Sequence, residues 1–231
     1  MKLLEDTQHS PLELVRQHSL TSALKGELER LIFNGEIKAG ERLNETVLAA
    51  RFRTSRGPVR EALQALGEQG LVSFTRNRGA FIRRVSAEEA LELYGIRAAL
   101  EDQVGRQLAG RLSDEKAATL TTLLHEMDRT IRGHQVGEYY RLNLRFHDLL
   151  VQYAGSARLA EIYRRVIKEL HLFRLHGLAH GAGLEMSTTE HRAIVEALQS
   201  GSASRASKAM RGHVEAALRR LQAALQAAAA A

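Results

Sequence analysis

The chain has 231 residues, enough for two domains of ordinary size, and 44% of them are hydrophobic, enough for packed cores. It contains no cysteine, which excludes disulfides and every cysteine-based metal or redox site and fits a reducing cytoplasm, and no run approaches the ~20 apolar residues that a membrane span needs. The net charge of +6 is concentrated between positions 51 and 84, where eight arginines stand against two glutamates. Such a patch attracts phosphate backbones, although a solvated basic face without a partner has the same composition.

Residues 1–11 carry Glu5 and Asp6 and no apolar run, unlike a signal peptide, and residues 1–17 read as an N-terminal extension. Leu20, Leu24, Leu28 and Leu31 recur at helical spacing and predict an amphipathic helix over 20–34. Gly35 and Gly40 punctuate a turn-rich connection that lasts to Leu43. Asn44 suits the N-cap of a short helix holding Val47, Leu48 and Ala49, which Phe52 closes before a tight turn at 53–55. Ser55 is expected to cap the next helix. Pro58 lies in its first turn, Val59, Leu63 and Leu66 form its buried stripe, and Gly70 stops it. Residues 71–74 and 80–82 then change period and predict a two-stranded hairpin with an arginine-rich tip. Helix, short helix, turn, helix and hairpin make a winged helix-turn-helix over 18–85. Its second motif helix enters the major groove, and its wing tip meets backbone or minor groove.

From Ser86 the pattern is helical throughout. Ser86 and Glu89 have capping-box spacing and open a helix through Leu91, Tyr94, Ala98 and Leu108. Further apolar stripes include Leu120, Leu124 and Met127; Leu142, Phe146 and Leu150; Leu159, Ile162, Val166 and Leu170; Ile194 and Leu198; and Leu218, Leu221 and Leu225. The fold class is therefore mainly α: a winged helix-turn-helix of three helices plus a small β-hairpin, then an all-α antiparallel bundle of about six helices over 86–222. An alanine-rich tail occupies 223–231. Bundles place ligand and metal sites between facing helices.

Ser55, Arg56 and Arg60 stand at the N-terminal end of the recognition helix, where free N–H groups also favour phosphate. Arg56 and Arg60 are four residues apart and project from one face, able to pair with guanine or to clamp phosphate. The alternative is a pair of surface arginines, one bonded to Glu61 or Glu68.

The pattern Ile32-x-x-Gly35-x-Ile37-x-x-Gly40-x-x-Leu43-x-Glu45, with Leu48-Ala49, Ser55-Arg56-x-Pro58-Val59-Arg60-Glu61-Ala62-Leu63 and Leu66-x-x-x-Gly70-Leu71-Val72, resembles the GntR-type winged helix. The resemblance implies that Ser55, Arg56, Gly57 and Arg60 approach double-stranded operator DNA. It implies help from Thr46 and a wing tip formed by Arg76, Asn77, Arg78 and Gly79. The second domain resembles the FCD-type effector-binding and dimerisation domain of the FadR subgroup through Arg97-x-x-x-Glu101, Asn143-x-x-Phe146-His147, Ala154-Gly155, Glu190-His191 and Met210-x-x-His213. In that subgroup an Asp or Asn and three His commonly bind a divalent metal, and a carboxylate effector can complete its coordination. The resemblance assigns those roles to Asn143, His147, His191 and His213.

The residues themselves allow this. Asn143 and His147, at i and i+4, point toward a common point, while His191 and His213 lie on two other helices. Three imidazoles and one oxygen suit Zn or Ni. Any one of these histidines taken alone reads better as a satisfied polar residue than as a ligand, and it is the three together at matching family positions that favour a metal. An Asn oxygen donates more weakly than the Asp of many relatives. His171, His176 and His180 fall outside the set, with His171 the first substitute. Arg97 could meet an effector carboxylate or pair with Glu101 one turn on. Because imidazoles must be neutral to bind metal, affinity should fall as pH drops through ~6.5. The expected function is a homodimeric repressor released from its operator by a small carboxylate. The competing readings are a constitutive DNA-binding protein with a structural metal and a metal-dependent hydrolase. The hydrolase reading lacks a carboxylate base at a telling spacing beside these histidines.

Overall fold

A computed structural model describes residues 11–174 and 183–230, with side chains described over 19–173 and 183–227. It divides into two compact units, 1–84 and 85–231.

The first unit opens with α1 (Pro11–Phe33), which starts earlier than the leucine spacing predicts. Leu24, Leu28, Leu31 and Ile32 are buried and face α3 (Arg56–Glu68), whereas Leu20 is 40% exposed and does not join the stripe. Thr21 Oγ1 donates to Glu61 Oε2 at 2.8 Å, tying α1 to the side of α3. In α2 (Glu45–Arg51) the Asn44 side chain accepts from the Thr46 and Val47 amides, as its N-cap position requires. Ser55 occupies the N-cap position of α3, but its hydroxyl makes no capping hydrogen bond, contrary to expectation. Pro58 sits at the third helical position, where its absent N–H leaves no intrahelical bond unmade. Val59, Ala62, Leu63 and Leu66 bury the other face. The chain leaves α3 through Gly70, whose φ of 76° only glycine adopts readily.

The wing has three strands, not two. β2 (Val72–Thr75) and β3 (Gly79–Ile82) form the expected hairpin, and β1 (Arg42–Leu43) adds to the other edge of β3, giving the antiparallel order β1-β3-β2. Strand β1 lies inside the stretch predicted to be a turn-rich connection. Asn77 and Gly79 turn the tip with positive φ of 62° and 97°.

Among the described residues the second unit is a bundle of six helices: α4 (Ala87–Leu108), α5 (Asp114–Arg132), α6 (Val136–Tyr153), α7 (Ala157–Arg174), α8 (Leu184–Gln199) and α9 (Ala203–Ala230). Ser86 and Glu89 form the reciprocal capping box that opens α4. Phe146, Leu142 and Leu150 of α6 meet Leu120, Leu124 and Met127 of α5 and Ile194 and Leu198 of α8 in one core. On α7 Leu159, Val166 and Leu170 are buried as the spacing predicts, but Ile162 is 45% exposed and its neighbour Tyr163 is buried in its place. On α4 Tyr94, Ala98 and Leu108 are buried as expected, whereas Leu93 rather than Leu91 is the buried leucine of its first turns. Helix α9 continues to Ala230, so residues 223–230 extend that helix.

Helices α4 and α9 pack along much of their length. The contact is closest at Gly105, where an added Cβ would lie 2.8 Å from the backbone of Ala206 and Ser207. Only a residue without a side chain permits that approach, and it sets how α9 lies against the helix that carries Arg97 and Glu101.

Candidate functional site

Thr46, Ser55, Arg56, Gly57, Arg60, Arg76, Asn77, Arg78 and Gly79 are all exposed on the first unit. Burial of the opposite face of α3 leaves the two arginines nowhere to project but outward. The alternative reading, one of the pair bonded to Glu61 or Glu68, is not what is found; both arginines bond Glu45. Arg60 Nε and Nη2 donate to Glu45 Oε1 and Oε2 at 3.0 and 2.9 Å, and Arg56 Nη2 donates to Glu45 Oε2 at 3.2 Å. At the wing, Arg78 stacks its guanidinium 5.9 Å from the Phe81 ring centroid.

In the second unit α6, α8 and α9 bring His147, His191 and His213 together. All three are buried, and one ring nitrogen of each lies within 4.8 Å of the others. His147 Nε2 faces His191 Nε2 at 3.2 Å. Two nitrogens each ~2.0–2.1 Å from one ion would be separated by about 3.0–3.4 Å, so the spacing suits a shared metal. The Nδ1 atoms of His147 and His191 are buried without a hydrogen-bond partner among the described residues. Burial lowers the His147 pKa to about 4 against the pull of Glu101, and burial likewise lowers that of His191. Both are therefore neutral well below pH 6.5, the form in which an imidazole nitrogen can hold a metal.

Two carboxylates back this cluster, although neither stands at a telling sequence spacing from the histidine it touches. Glu101, fully buried on α4, places Oε1 3.2 Å from His147 Nδ1, outside hydrogen-bond direction, and accepts from Arg97 Nε at 2.8 Å and Tyr163 Oη at 3.0 Å. Burial opposes its charge, but His147 and Arg97 outweigh that and hold its pKa below the usual carboxylate range. Glu190 on α8 accepts from His213 Nδ1 at 2.7 Å and from both terminal nitrogens of Arg220 at 2.8 and 3.0 Å. Despite partial burial, the bonds from His213 and Arg220 lower its pKa to about 2. An ionised carboxylate can only accept, so His213 carries its proton on Nδ1 and leaves Nε2 free as a donor to metal. Glu190 precedes His191 in sequence yet serves His213 on another helix, so no local spacing reveals it.

A cavity of about 180 Å³ adjoins His147. Asn143, Arg97 and Tyr163 line its buried part together with His147, while Asp148, Arg164 and Lys168 line it further out. Arg97 makes the pair with Glu101 that the sequence allows, and it also lines the cavity. His171 lies apart from the cluster, with Nδ1 3.1 Å from Tyr140 Oη, and His176 and His180 lie outside the described residues.

A winged helix-turn-helix that exposes an arginine pair at the start of its recognition helix, followed by an all-helical domain, defines a DNA-binding transcriptional regulator. The chain matches the gntR family of bacterial regulatory proteins over residues 20–82 and the FCD domain over residues 92–216. It belongs to the GntR family, with an FCD domain as its second unit. It is 34% identical to the uncharacterized HTH-type transcriptional regulator YdhC of Bacillus subtilis, covering 74% of this chain and 76% of that protein. It is 28% identical to the HTH-type transcriptional repressor RspR of Escherichia coli, covering 91% and 90%. Among solved structures, a putative transcriptional regulator GntR from Rhodococcus sp. RHA1 superposes with a TM-score of 0.70 at 27% identity, covering 89% of this chain and 98% of that one. These families and relatives are transcriptional regulators, not enzymes. Among the described residues no helix is long and apolar enough to cross a membrane.

Proposed function

We propose that the protein is a homodimeric repressor of the FadR-like subgroup, whose operator affinity is set by a small carboxylate bound next to a divalent metal, Zn or Ni. In this reading residues 18–85 read DNA through Ser55, Arg56, Gly57, Arg60 and Thr46, with the wing tip at 76–79. Residues 86–222 bind the effector and form the dimer, and 1–17 and 223–231 flank them. His147, His191 and His213 hold the metal, Asn143 supplies a weaker oxygen from the cavity wall, and Arg97 receives the carboxylate. Bound there, the metal supplies Lewis-acid attraction for a carboxylate; the imidazoles and their carboxylate partners fix the donor directions.

The observation that carries the reading is the junction of three features: a buried three-imidazole cluster, a cavity that shares His147 with it, and an arginine in the same wall. A twofold dimer follows from the small surface of one winged module, which discriminates weakly alone. Switching requires that the carboxylate bind the DNA-free arrangement more tightly than the DNA-bound one.

The test is a thermal-shift screen of small carboxylates with and without Zn or Ni, followed by operator binding with each hit. A metal-dependent rise in melting temperature coupled to weaker operator binding supports the proposal. Metal-dependent stabilisation with operator binding indifferent to every carboxylate identifies a structural metal in a constitutive regulator instead.

A further inference from the structure

We propose that Glu45 is a positioning residue for operator recognition: its carboxylate holds the guanidinium groups of Arg56 and Arg60 in a reading arrangement and thereby sets specificity. The inference rests on the reading of those two arginines as operator contacts.

Arginines four residues apart on one exposed helix face repel each other, and their long side chains sample many rotamers when free. Glu45 counters both effects from outside α3. It is the first residue of α2, and its side chain is 25% exposed, against 60% and 55% for Arg56 and Arg60. Oε1 accepts from Arg60 Nε at 3.0 Å, and Oε2 accepts from Arg60 Nη2 at 2.9 Å and Arg56 Nη2 at 3.2 Å. The two-point contact with Arg60 fixes the plane of that guanidinium, which a single contact would leave free to rotate. Each guanidinium has more N–H donors than Glu45 occupies, so both retain an edge for base or phosphate. The bonds to both arginines hold the Glu45 carboxyl below its ordinary range, so the clamp is charged at neutral pH.

Stability does not explain the arrangement, because exposed ion pairs contribute little to folding. The core beneath is apolar, with Leu48 and Ala49 of α2 and Val59 and Leu63 of α3 buried. What the clamp changes is the state of the arginines before DNA arrives. Ordering them in advance favours the one duplex whose acceptors match. The same negative charge disfavours phosphates in general. Glu45 therefore acts in opposite directions on specific and non-specific binding, which a structural role would not do.

The experiment uses the full-length protein and an operator duplex selected with it from a random pool. Affinities of Glu45→Gln and Glu45→Ala for that duplex and for a scrambled duplex are measured from about 50 to 200 mM salt. The expected result for Ala is a loss of discrimination of about tenfold or more, with scrambled-duplex affinity unchanged or higher, a steeper salt dependence and an unchanged melting temperature. Gln keeps an acceptor oxygen but no charge and falls between Ala and the parent. An unchanged ratio of specific to non-specific affinity overturns the proposal. Both affinities rising together would mean that Glu45 only repels phosphate, and both falling with the melting temperature would mean that it only supports the fold. Arg56→Ala and Arg60→Ala are measured alongside. If they keep full discrimination, the assignment of the arginines has failed, and the clamp falls with it.

Discussion

Replacing Glu190 tests the metal site through a residue that would never touch the ion. Glu190 accepts from His213 Nδ1 at 2.7 Å and from Arg220 at 2.8 and 3.0 Å, and its side chain is 21% exposed. Loss of such an outer partner typically lowers metal affinity by about 10- to 100-fold. That range corresponds to about 1.4–2.7 kcal/mol at 25 °C. Glu190→Gln keeps an oxygen that can accept the Nδ1 proton but removes the charge and the two-point pairing with Arg220, so about tenfold is expected. Glu190→Ala removes orientation as well and should approach a hundredfold. The assay is competition for Zn between the full-length protein and a chelator of known affinity, with circular dichroism confirming the helical content of each variant. If both variants bind Zn within about twofold of the parent, the carboxylate does not orient His213 for metal. If the parent itself takes up no metal, the three-histidine site is not a metal site.

Further outcomes follow from the same structure. Arg56→Ala and Arg60→Ala should each reduce discrimination for the selected operator by about tenfold to a hundredfold, whereas Arg78→Ala at the wing should weaken all duplexes alike and flatten the salt dependence; footprinting and titration across salt separate the two patterns. Gly105→Ala should lower the melting temperature by several degrees, because a methyl group 2.8 Å from the α9 backbone demands a shift of one helix costing about 1–3 kcal/mol; an unchanged melting curve would mean that the α4–α9 approach is looser than described. For the metal-free protein, His147 has a folded pKa of about 4 against 6.5 unfolded, so between those values the unfolded chain binds more protons and stability rises with pH. Calorimetry in chelator should therefore show a falling melting temperature from pH 7 to 5, and a flat profile would contradict a buried neutral imidazole.

Much of this architecture is legible in residue order, because helix periodicity and capping are local. The buried Leu24, Leu28 and Leu31, the Asn44 cap and the Ser86–Glu89 box all follow from spacings of three or four residues. Strand β1 is not legible: two residues hold no alternation, and only β3 makes them a strand. One position of the α7 stripe is misplaced because Ile162 and Tyr163 are both apolar enough to bury, and the choice of Tyr163 depends on Glu101, sixty-two positions earlier, as partner for its hydroxyl. The three histidines are visible as a motif, and Glu101 and Glu190 stand beside them in it, but which histidine each carboxylate touches is not visible. Glu190 serves a histidine twenty-three positions on, and Glu45 reaches arginines across a turn, whereas Glu61, adjacent to Arg60, points away toward Thr21. Local pattern names the elements; pairing between elements is decided by packing.

The division of labour between helices around the cavity has an evolutionary consequence. Its α7 wall, with Arg164, Ile167 and Lys168, contributes no histidine to the cluster, which draws on α6, α8 and α9. Substitutions at these three α7 positions can therefore reshape and recharge the cavity without replacing an imidazole, whereas changes at His147, or at Arg97 and Tyr163, which bond the Glu101 beside it, touch both at once. A lineage built on this bundle is free to explore new small molecules through one helix, with the buried cluster inherited unchanged.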